Sequence, residues 1–461
     1  MNKILLVDPS SIHHGPPDAI QESDSFINQL YVDKINEVVD CRCSDNYGRA
    51  LHSKYITNYG LLMLGGLLKD YNVSYINGDY FPTSEAYIDY LLKTDADIVC
   101  LTSTTPQFME VKKIAELLKK THPDIKIILG GPHSRYYLTH EVDDCFDCVV
   151  IGYDVNQSKE VIDKIIRDEE FPNKIVTTHY YDTEKDFSLI PSDKLYDTML
   201  YSYINFGCPN QCKYCVEHKF VDKVAFNDCN VKMDEIKRLV LDYGIRFVHI
   251  ADSDFLMFRK MVEEFVKYIK QEKINFCFSI NTSPAILEKY IGDPLLKELK
   301  EIGLVEILIG AEHFSHRVMD KLSKHYCIDN FMNALEYAKK DVGIPIISLY
   351  TLVGLPFEYE EDIEENIMVI RQLKEQGLFD FTFPKFFVPY PDSDIYLHPD
   401  DYDVIIKNEN WDEYQRWQLP RPIIINGMHD DDYVNEIIQI NHITMEDDYE
   451  DDSISSLCKK R

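Results

Sequence analysis

Short apolar runs alternate with amphipathic stretches through the first 170 residues. Runs typical of buried strands fall at 3–7, 73–76, 97–101, 125–129 and 148–151. Between them lie stretches of helical period or apolar helical composition, at 59–69, 83–93, 107–120 and from 157 onward. Residues 10–58 follow neither pattern, so we predict that they are irregular. Strands that alternate with helices predict a parallel, doubly wound α/β sheet.

The same alternation repeats six times after residue 200. We predict strands at 203–206, 247–250, 276–280, 305–309, 346–350 and 381–387, separated by helices at 232–243, 256–272, 294–302, 328–340 and 360–376. Six β/α units predict an open, partial barrel, in which chemistry belongs at the carboxyl ends of the strands. The chain therefore divides into a doubly wound domain at 1–175, a linker at 176–200, a barrel at 201–395 and an extension at 396–461.

The extension differs in composition from the rest of the chain. It has acidic clusters at 430–432 and 446–452, which we expect to be solvated or disordered. It also holds both tryptophans, Trp411 and Trp417. We assign these rings to core packing, with a helix that caps the barrel and lines a substrate cavity as the alternative.

A tight group of cysteines follows the first predicted barrel strand. Cys208, Cys212 and Cys215 are separated by gaps of three and two residues, and Tyr214 precedes the last of them. A loop this compact can point three thiolates at one face of a cubic iron–sulfur cluster, which normally takes four cysteines. Cys229 lies too far on to be the fourth. One iron would then stay open, as in a catalytic metal site; a zinc knuckle that lacks its fourth ligand is the alternative.

This cysteine pattern resembles the signature of the radical S-adenosylmethionine (SAM) enzymes. The resemblance implies that Cys208, Cys212 and Cys215 hold a [4Fe-4S] cluster whose open iron chelates SAM. One electron from the cluster then cleaves SAM to methionine and a 5′-deoxyadenosyl radical. An electron donor of the flavodoxin or ferredoxin type is implied as a partner.

Other strand ends match the SAM pocket of that family. The resemblance implies that Tyr214 packs near the adenine, that Asp252 and Asp254 lie at the SAM amino group, that Glu312 helps to hold SAM, and that Gly354 and Pro356 form the Gly-x-Pro-x-Glu turn beside the adenine. A helix N-cap is the alternative role for Asp252 and Asp254.

The first half is similar to the cobalamin-binding domain that precedes many radical SAM modules. The matching residues are 4–9, 59–62, 97–99 with 102–106, and 129–133. Polar and small residues follow these strands, where ligands of doubly wound sheets bind. The resemblance implies cobalamin contacts from Asp8, Thr102, Ser103, Thr104, Gly130, Gly131 and Gly152. The Asp-x-His-x-x-Gly motif that supplies a histidine to cobalt in some cobalamin proteins is absent, and a degenerate domain without cobalamin is the alternative.

Together the two resemblances imply a cobalamin-dependent radical SAM enzyme that methylates an unactivated carbon of a small-molecule or peptide substrate. A radical cyclisation, rearrangement or epimerisation without methyl transfer is a second hypothesis. A catalytically silent corrinoid-binding protein is a third.

The net charge restricts the partners further. A formal charge of −31 argues against nucleic acid or an anionic membrane, because phosphate binding needs clustered Lys and Arg. Acidic surfaces also keep proteins dispersed, and the remaining interpretation is a cationic substrate or basic partner. No apolar run approaches a membrane span, and the first residues are too short a run for a signal peptide. The cysteines form no disulfide framework, which indicates a reducing cytoplasm.

Isolated histidines and cysteines have simpler interpretations than ligand binding. We predict structural or surface roles rather than metal, redox or proton-transfer roles for His13, His14, Cys41, Cys43, His133, Cys145, Cys148 and His313.

Overall fold

The structure is a computed structural model that describes residues 2–10, 18–42, 55–181, 183–195, 198–221, 224–226, 229–425 and 428–445. His13, His14, Cys43 and the acidic cluster at 446–452 lie outside these ranges. Of the helices within them, none combines the length and the apolar character of a membrane span.

The first half forms the predicted doubly wound sheet. Its elements are β1 (Lys3–Asp8), α1 (Asp18–Arg42), β2 (Tyr55–Ile56), α2 (Tyr59–Leu67), β3 (Asn72–Asn77), α3 (Ser84–Leu91), β4 (Ile98–Thr102), α4 (Phe108–Thr121), β5 (Lys126–Gly130), β6 (Cys148–Asp154), α5 (Val155–Ile166) and β7 (Lys174–Tyr181). The six-stranded sheet has the order β3-β1-β4-β5-β6-β7, and all of its pairs are parallel. The central strand β4 is buried at every position because both of its faces are covered. This explains why its sequence is an apolar run and not an alternation.

The second half forms an open parallel barrel. Its elements are α6 (Ser192–Leu195), β8 (Thr198–Met199), β9 (Tyr201–Ser202), β10 (Asn205–Phe206), β11 (Ala225–Phe226), α7 (Cys229–Leu241), β12 (Phe247–Ile250), α8 (Arg259–Glu272), β13 (Cys277–Thr282), α9 (Pro284–Leu287), α10 (Pro294–Ile302), β14 (Leu304–Glu312), α11 (His316–Lys321), α12 (Ile328–Glu336), β15 (Ile346–Val353), α13 (Glu360–Glu375) and β16 (Phe381–Phe386). The sheet order is β16-β15-β14-β13-β12-β9. The prediction of a doubly wound sheet followed by a partial barrel is confirmed.

The prediction that residues 10–58 are irregular is wrong, because α1 occupies 25 of them. Ile27, Ile35 and Val39 of α1 pack against the first residues of the barrel strands, at the amino-terminal mouth. Tyr31 of the same helix donates a hydrogen bond to Glu306 of β14 at 2.8 Å. The helix therefore closes the end of the barrel opposite the predicted chemistry. Cys41 belongs to this helix and not to a strand.

The structure describes the extension through residue 425 and again from 428 to 445. It contains α14 (Asp394–Leu397), β17 (Val404–Ile406), β18 (Ile423–Ile425) and α15 (Asp430–Met445). Asp430, Asp431 and Asp432 form the first turn of α15, where carboxylates favourably meet the helix dipole. Of the two expectations for this cluster, the solvated one holds, since Asp431 and Asp432 are exposed side chains of a helix. The apolar face of α15 packs against α1, α13 and β16.

Trp411 attaches the extension to the first domain. The ring is 4% exposed and belongs to the core of the doubly wound sheet, 4.9 Å from the His133 ring and 5.2 Å from the Tyr136 ring. Nearby, Arg135 donates from Nε to Asp392 Oδ2 at 2.6 Å. Trp411 thus has a core-packing role, and the core to which it belongs is that of the doubly wound domain and not that of the barrel. His133 is buried in the same aromatic cluster. Cys145, in the turn before β6, and Cys148, at the start of β6, are also buried, as structural roles require.

Candidate active site

The three cysteines lie in one loop at the carboxyl end of the barrel. Each is partly exposed, and the loop is held by hydrogen bonds from the Cys215 amide to the Cys212 carbonyl (3.0 Å) and from the Lys213 amide to the Leu322 carbonyl (3.0 Å). Burial raises the pKa of the Cys208 thiol to about 11 and that of Cys215 to about 12. Thiols of this kind bind a metal only when the metal displaces their protons.

The spacing of these thiols fits a cluster better than a single ion. Cysteines on one zinc ion stand about 3.8 Å apart, from the Zn–S bond of ~2.3 Å in a tetrahedron. Among the described residues, His313, Glu358 and Glu436 form a group whose ligand atoms all lie within 4.8 Å of one another, and the three thiols do not form such a group. Ligands of a cubic cluster bind different irons and stand further apart. Three thiols carried by one loop therefore fit a [4Fe-4S] cluster that keeps one iron open.

A cavity of about 720 Å³ opens beside this loop. Its lining comes from the carboxyl ends of the barrel strands and from the extension, and includes Cys208, Cys212, Tyr214, Cys215, Glu217, Asp254, Ser283, Glu312, Lys324, Tyr350, Lys385 and Arg416. Of the residues predicted for SAM, Tyr214, Asp254 and Glu312 thus lie together at one cavity.

Asp254 and Glu312 are held in different ways. The Asp254 carboxylate accepts hydrogen bonds from the Thr282 hydroxyl (2.8 Å) and the Ser283 hydroxyl (2.6 Å), and burial raises its pKa to about 6. It makes no side-chain cap to the short helix that follows, so the N-cap alternative fails for it. Glu312 has a φ of +64° at an irregularity in β14, and its Oε1 is 3.0 Å from Lys324 Nζ.

Asp252 does not line the cavity, contrary to the prediction. Its carboxylate is buried and accepts hydrogen bonds from the amide of Ile204 (2.7 Å), the amide of Asn205 (3.0 Å) and the Asn205 side chain (2.9 Å). Burial raises its pKa to about 7. The first barrel strand, β9, covers 201–202 and not the predicted 203–206, and these bonds hold the chain that follows it.

Gly354 and Pro356 also lie away from the cavity. Gly354 has a φ of +73°, and its carbonyl accepts a hydrogen bond from Arg421 Nη1 at 3.2 Å. The space a side chain would need there is taken by the Arg421 guanidinium. The turn therefore packs against the extension. Leu352 of the preceding strand lines the cavity, whereas the turn that we predicted to lie there does not.

A buried group behind that turn looks like a metal site but is not one. Ligand atoms of His313, Glu358 and Glu436 lie within 4.8 Å of one another. His313 Nδ1 accepts a hydrogen bond from the Ser315 amide at 3.0 Å, so the ring proton is on Nε2, which faces Glu358 Oε1 at 3.4 Å. A protonated Nε2 has no lone pair for a metal. His313 has a structural role, as predicted.

A second cavity, of about 290 Å³, lies between the doubly wound sheet and the barrel. Thr102, Gly130, Gly131 and Gly152 line it, as predicted for a ligand beyond the strand ends. Facing them is an aromatic wall that the sequence analysis missed, made by Tyr59, Tyr153, Tyr180, Tyr201, Tyr203 and Phe206. Its rings come from both halves of the chain, and Phe206 stacks on Tyr180 at 4.6 Å.

Asp8, Ser103 and Thr104 do not line this cavity. The Asp8 carboxylate is buried and accepts from the Asn58 amide (2.7 Å) and the Tyr75 hydroxyl (2.9 Å), and burial raises its pKa to about 7. The Ser103 hydroxyl donates to the Thr104 carbonyl at 2.8 Å. The exposed Thr104 hydroxyl donates to Gln107 at 2.6 Å. All three residues shape the loops around the cavity and are not part of its lining.

The two cavities meet. Glu217, Ala251 and Ser253 line both of them, and the Ser253 hydroxyl donates to Glu217 Oε2 at 3.0 Å. The barrel cavity and the cavity of the first domain therefore adjoin at this wall.

Family models account for both halves. A model described as "Radical SAM superfamily" matches residues 202–370, and one described as "B12 binding domain" matches residues 53–162. The barrel of the chain thus matches the radical SAM superfamily, and its first domain matches the B12-binding domain. This is the domain order of radical SAM proteins with a B12-binding domain ahead of the barrel, and the family resemblance inferred from the sequence is confirmed.

Curated relatives of this radical SAM protein include a methyltransferase and a cyclase. An uncharacterized methyltransferase of Pyrococcus horikoshii is 23% identical over 384 residues, which cover 77% of this chain and 81% of the relative. An anaerobic magnesium-protoporphyrin IX monomethyl ester cyclase of Rubrivivax gelatinosus is 25% identical over 356 residues, which cover 71% of this chain and 62% of the relative.

Solved structures share the whole fold. The radical SAM methyltransferase TsrM from Kitasatospora setae, with cobalamin and a [4Fe-4S] cluster bound, has a TM-score of 0.65 at 14% identity and covers 95% of this chain and 91% of its own. A TsrM structure with tryptophan substrate and a SAM analogue has a TM-score of 0.64. The cobalamin-dependent radical SAM enzyme OxsB, with aqua-cobalamin and SAM, has a TM-score of 0.58 at 13% identity and covers 97% of this chain and 62% of its own.

Proposed function

We propose that this radical SAM protein is a cobalamin-dependent methyltransferase that acts on an unactivated carbon of a small-molecule or peptide substrate. One observation carries the proposal: the barrel cavity and the B12-domain cavity share the wall of Glu217, Ala251 and Ser253. A substrate at that wall lies against both. Each of two cofactors can then act on it without the substrate leaving the enzyme.

The barrel cavity has the groups that a cluster and SAM require. Cys208, Cys212 and Cys215 would hold the cluster. Asp254 and Glu312 offer carboxylates to an ammonium group, and Tyr214 offers a ring to the adenine. When bound, the cluster supplies the electron that cleaves SAM to a 5′-deoxyadenosyl radical, and cobalamin supplies the methyl group.

The other cavity has the chemistry of a corrinoid site. Gly130 and Gly131 leave backbone exposed to amide groups of the ligand, and the aromatic wall offers flat apolar surface. A volume of about 290 Å³ lies at the low end of the ~300–1,000 Å³ usual for ligand pockets, so a corrinoid would extend beyond it. Tyr59 and Tyr203 belong to the lining of this cavity, and an aromatic lining that excludes water would protect reactive species there.

The printed names of the relatives support this choice and define its rival. TsrM and the Pyrococcus horikoshii relative are named methyltransferases, and the tryptophan in one TsrM structure supports a small-molecule substrate. The Rubrivivax gelatinosus relative is named a cyclase, which favours cyclisation without methyl transfer as the second candidate. Either activity requires a low-potential electron donor, of the flavodoxin or ferredoxin type, and a reducing compartment such as the cytoplasm.

The test is anaerobic reconstitution with iron, sulfide and cobalamin, followed by incubation with SAM and a reductant. A methyltransferase gives S-adenosylhomocysteine from SAM and binds corrinoid with its characteristic absorption bands. If 5′-deoxyadenosine forms and S-adenosylhomocysteine does not, the cyclase candidate takes its place. If no corrinoid binds, both fail.

Two cysteine variants sharpen this test. Cys212→Ala should abolish the iron–sulfur absorption band and 5′-deoxyadenosine formation. Cys327→Ala is the matched control, because Cys327 is exposed and does not line either cavity. It should retain both signals, and equal behaviour of the two variants would refute the cluster assignment.

A further inference from the structure

The barrel cavity is rich in cations although the chain as a whole is strongly acidic. The chain has 48 Lys and Arg against 79 Asp and Glu. The cavity is lined by four basic side chains, Lys289, Lys324, Lys385 and Arg416, against three acidic ones, Glu217, Asp254 and Glu312. An excess of cations inside an acidic protein indicates a ligand of opposite sign.

Part of the charge in this cavity is already balanced. Lys324 is paired with Glu312 at 3.0 Å. The Asp254 carboxylate accepts hydrogen bonds from the hydroxyls of Thr282 and Ser283, which hold it in place and leave its charge for an ammonium group. Lys289, Lys385 and Arg416 are the basic side chains of the lining outside the Lys324–Glu312 pair.

Arg416 is the strongest candidate for an anion-binding group. Its backbone is fixed, since its carbonyl accepts from the Phe386 amide at 2.7 Å, and its guanidinium lies 5.1 Å from the Tyr390 ring. Its side chain is exposed to the cavity, and none of the described carboxylates lies within ion-pair distance of it. Its guanidinium shares a hydrogen bond with Tyr390, and the charges of Glu312 and the Cys215 thiol act on it from further away. A guanidinium presents a planar pair of donors that matches a carboxylate or a phosphate.

The surroundings of Arg416 leave room for such a ligand. Lys385, near the end of β16, lies 3.5 Å from Asp24 of α1, which is a long ion-pair contact. Tyr350 of β15 lines the same cavity and is 39% exposed, although it belongs to a barrel strand. These groups leave cavity surface free next to the guanidinium.

We propose that the substrate carries a carboxylate or phosphate group and that Arg416 binds it, with Lys385 adding positive charge. This rests on the proposed function, because it takes the barrel cavity as the substrate site. It replaces the cationic substrate suggested by the net charge alone. The net charge describes the outer surface, whereas the substrate meets the cavity lining.

The test measures the reactivity of Arg416 itself. Phenylglyoxal modifies accessible arginines, and peptide mass spectrometry gives the rate at each one. The reaction is run anaerobically on holoprotein with sodium acetate, inorganic phosphate or propylammonium chloride, each compared with sodium chloride at equal ionic strength. A separate sample contains SAM. Arg167, which is 62% exposed on the outer surface, is the internal control.

We expect acetate or phosphate to slow modification of Arg416 at least threefold, to leave Arg167 unchanged, and to reveal by their ranking which anion the site prefers. Protection by propylammonium and not by the anions would restore the cationic substrate. Protection by SAM alone would make Arg416 part of the SAM site, and no protection would leave the site without an anion; both outcomes overturn the proposal.

Failure here is distinguishable from failure of the proposed function. The corrin and iron–sulfur bands of the same samples show whether both cofactors are bound, and S-adenosylhomocysteine formation is measured without substrate. Arg416→Gln should keep both absorption bands. Holoprotein that forms S-adenosylhomocysteine with an unprotected Arg416 refutes the anion site alone.

Discussion

Gly131 and its neighbour Gly130 allow a sharp test of the B12-domain cavity. Gly131 has φ +88° and ψ 173°, a region essentially closed to residues with a side chain. A Cβ there would stand 2.6 Å from the Ser103 amide nitrogen and 2.8 Å from its carbonyl oxygen. Because these are backbone atoms, no change of rotamer relieves the overlap. A Cβ on Gly130 meets no atom within 4 Å.

The cost of Gly131→Ala follows from two contributions. The backbone conformation costs about 1–3 kcal/mol for a residue other than glycine. Displacing the Ser103 backbone costs a further ~1–3 kcal/mol, the usual range for overpacking. The carbonyl of Ser103 also accepts from the His133 amide at 3.0 Å, so the loop on either side must move. We expect a loss of about 2–6 kcal/mol, and a change within ~0.5 kcal/mol for Gly130→Ala.

Calorimetry of the apoprotein, with cobalamin binding measured in parallel, checks this expectation. For a domain of this size about 1 kcal/mol lowers the melting temperature by ~2–4 °C, so Gly131→Ala should lower that of the first domain by at least ~4 °C. Gly131→Ala should also weaken cobalamin binding, because displacing the Ser103 backbone changes the shape of the cavity that Gly131 lines. If Gly131→Ala melts within about 1 °C of Gly130→Ala, the assigned geometry of this loop is wrong.

Three further predictions concern the packing between the domains and under the barrel. Trp411→Ala should cost ~3–5 kcal/mol and speed hydrogen exchange in the first domain, whereas Tyr359→Ala, at a site 44% exposed, should do neither. Replacing Arg135 and Asp392 singly and together should give a coupling free energy of ~1–3 kcal/mol in a double-mutant cycle; a value near zero would exclude a bond between the domains. Burial raises the pKa of Glu306 to about 7, above its value in the unfolded chain, so its stabilisation is complete below pH ~4.5 and is lost as pH rises through 7. Glu306→Gln should therefore be more stable than the parent by roughly 3 kcal/mol at pH 8 and similar to it at pH 4.5, measured by denaturant unfolding; a difference independent of pH would contradict the buried carboxyl.

Local patterns in the sequence were enough to predict the two sheets and the cluster ligands. Buried parallel strands are continuous apolar runs, and the cysteines are close in sequence because one loop must carry all three. Neither property depends on distant residues. The same holds for Gly130 and Gly131, which line their cavity because they directly follow β5.

Other residues were misassigned because distant partners decide their roles. Asp252 follows a strand as a SAM ligand would, but its carboxylate is used by the backbone of Ile204 and Asn205. Gly354 has its predicted turn, but Arg421 occupies the space beside it. The helix α1 has a weak amphipathic pattern, and its position under the barrel depends on apolar residues at the starts of five strands.

The sequence by itself therefore determined the order of the sheets and the family resemblance, and it put three cysteines into one loop after a barrel strand. Only the tertiary structure decided which polar groups face a cavity, because a carboxylate or glycine has the same sequence signature whether it meets a ligand or another part of the chain. It also decided that the cavities adjoin at Glu217, Ala251 and Ser253, and that cations line one of them. Both depend on strand ends from separate domains meeting in space, which no local pattern records.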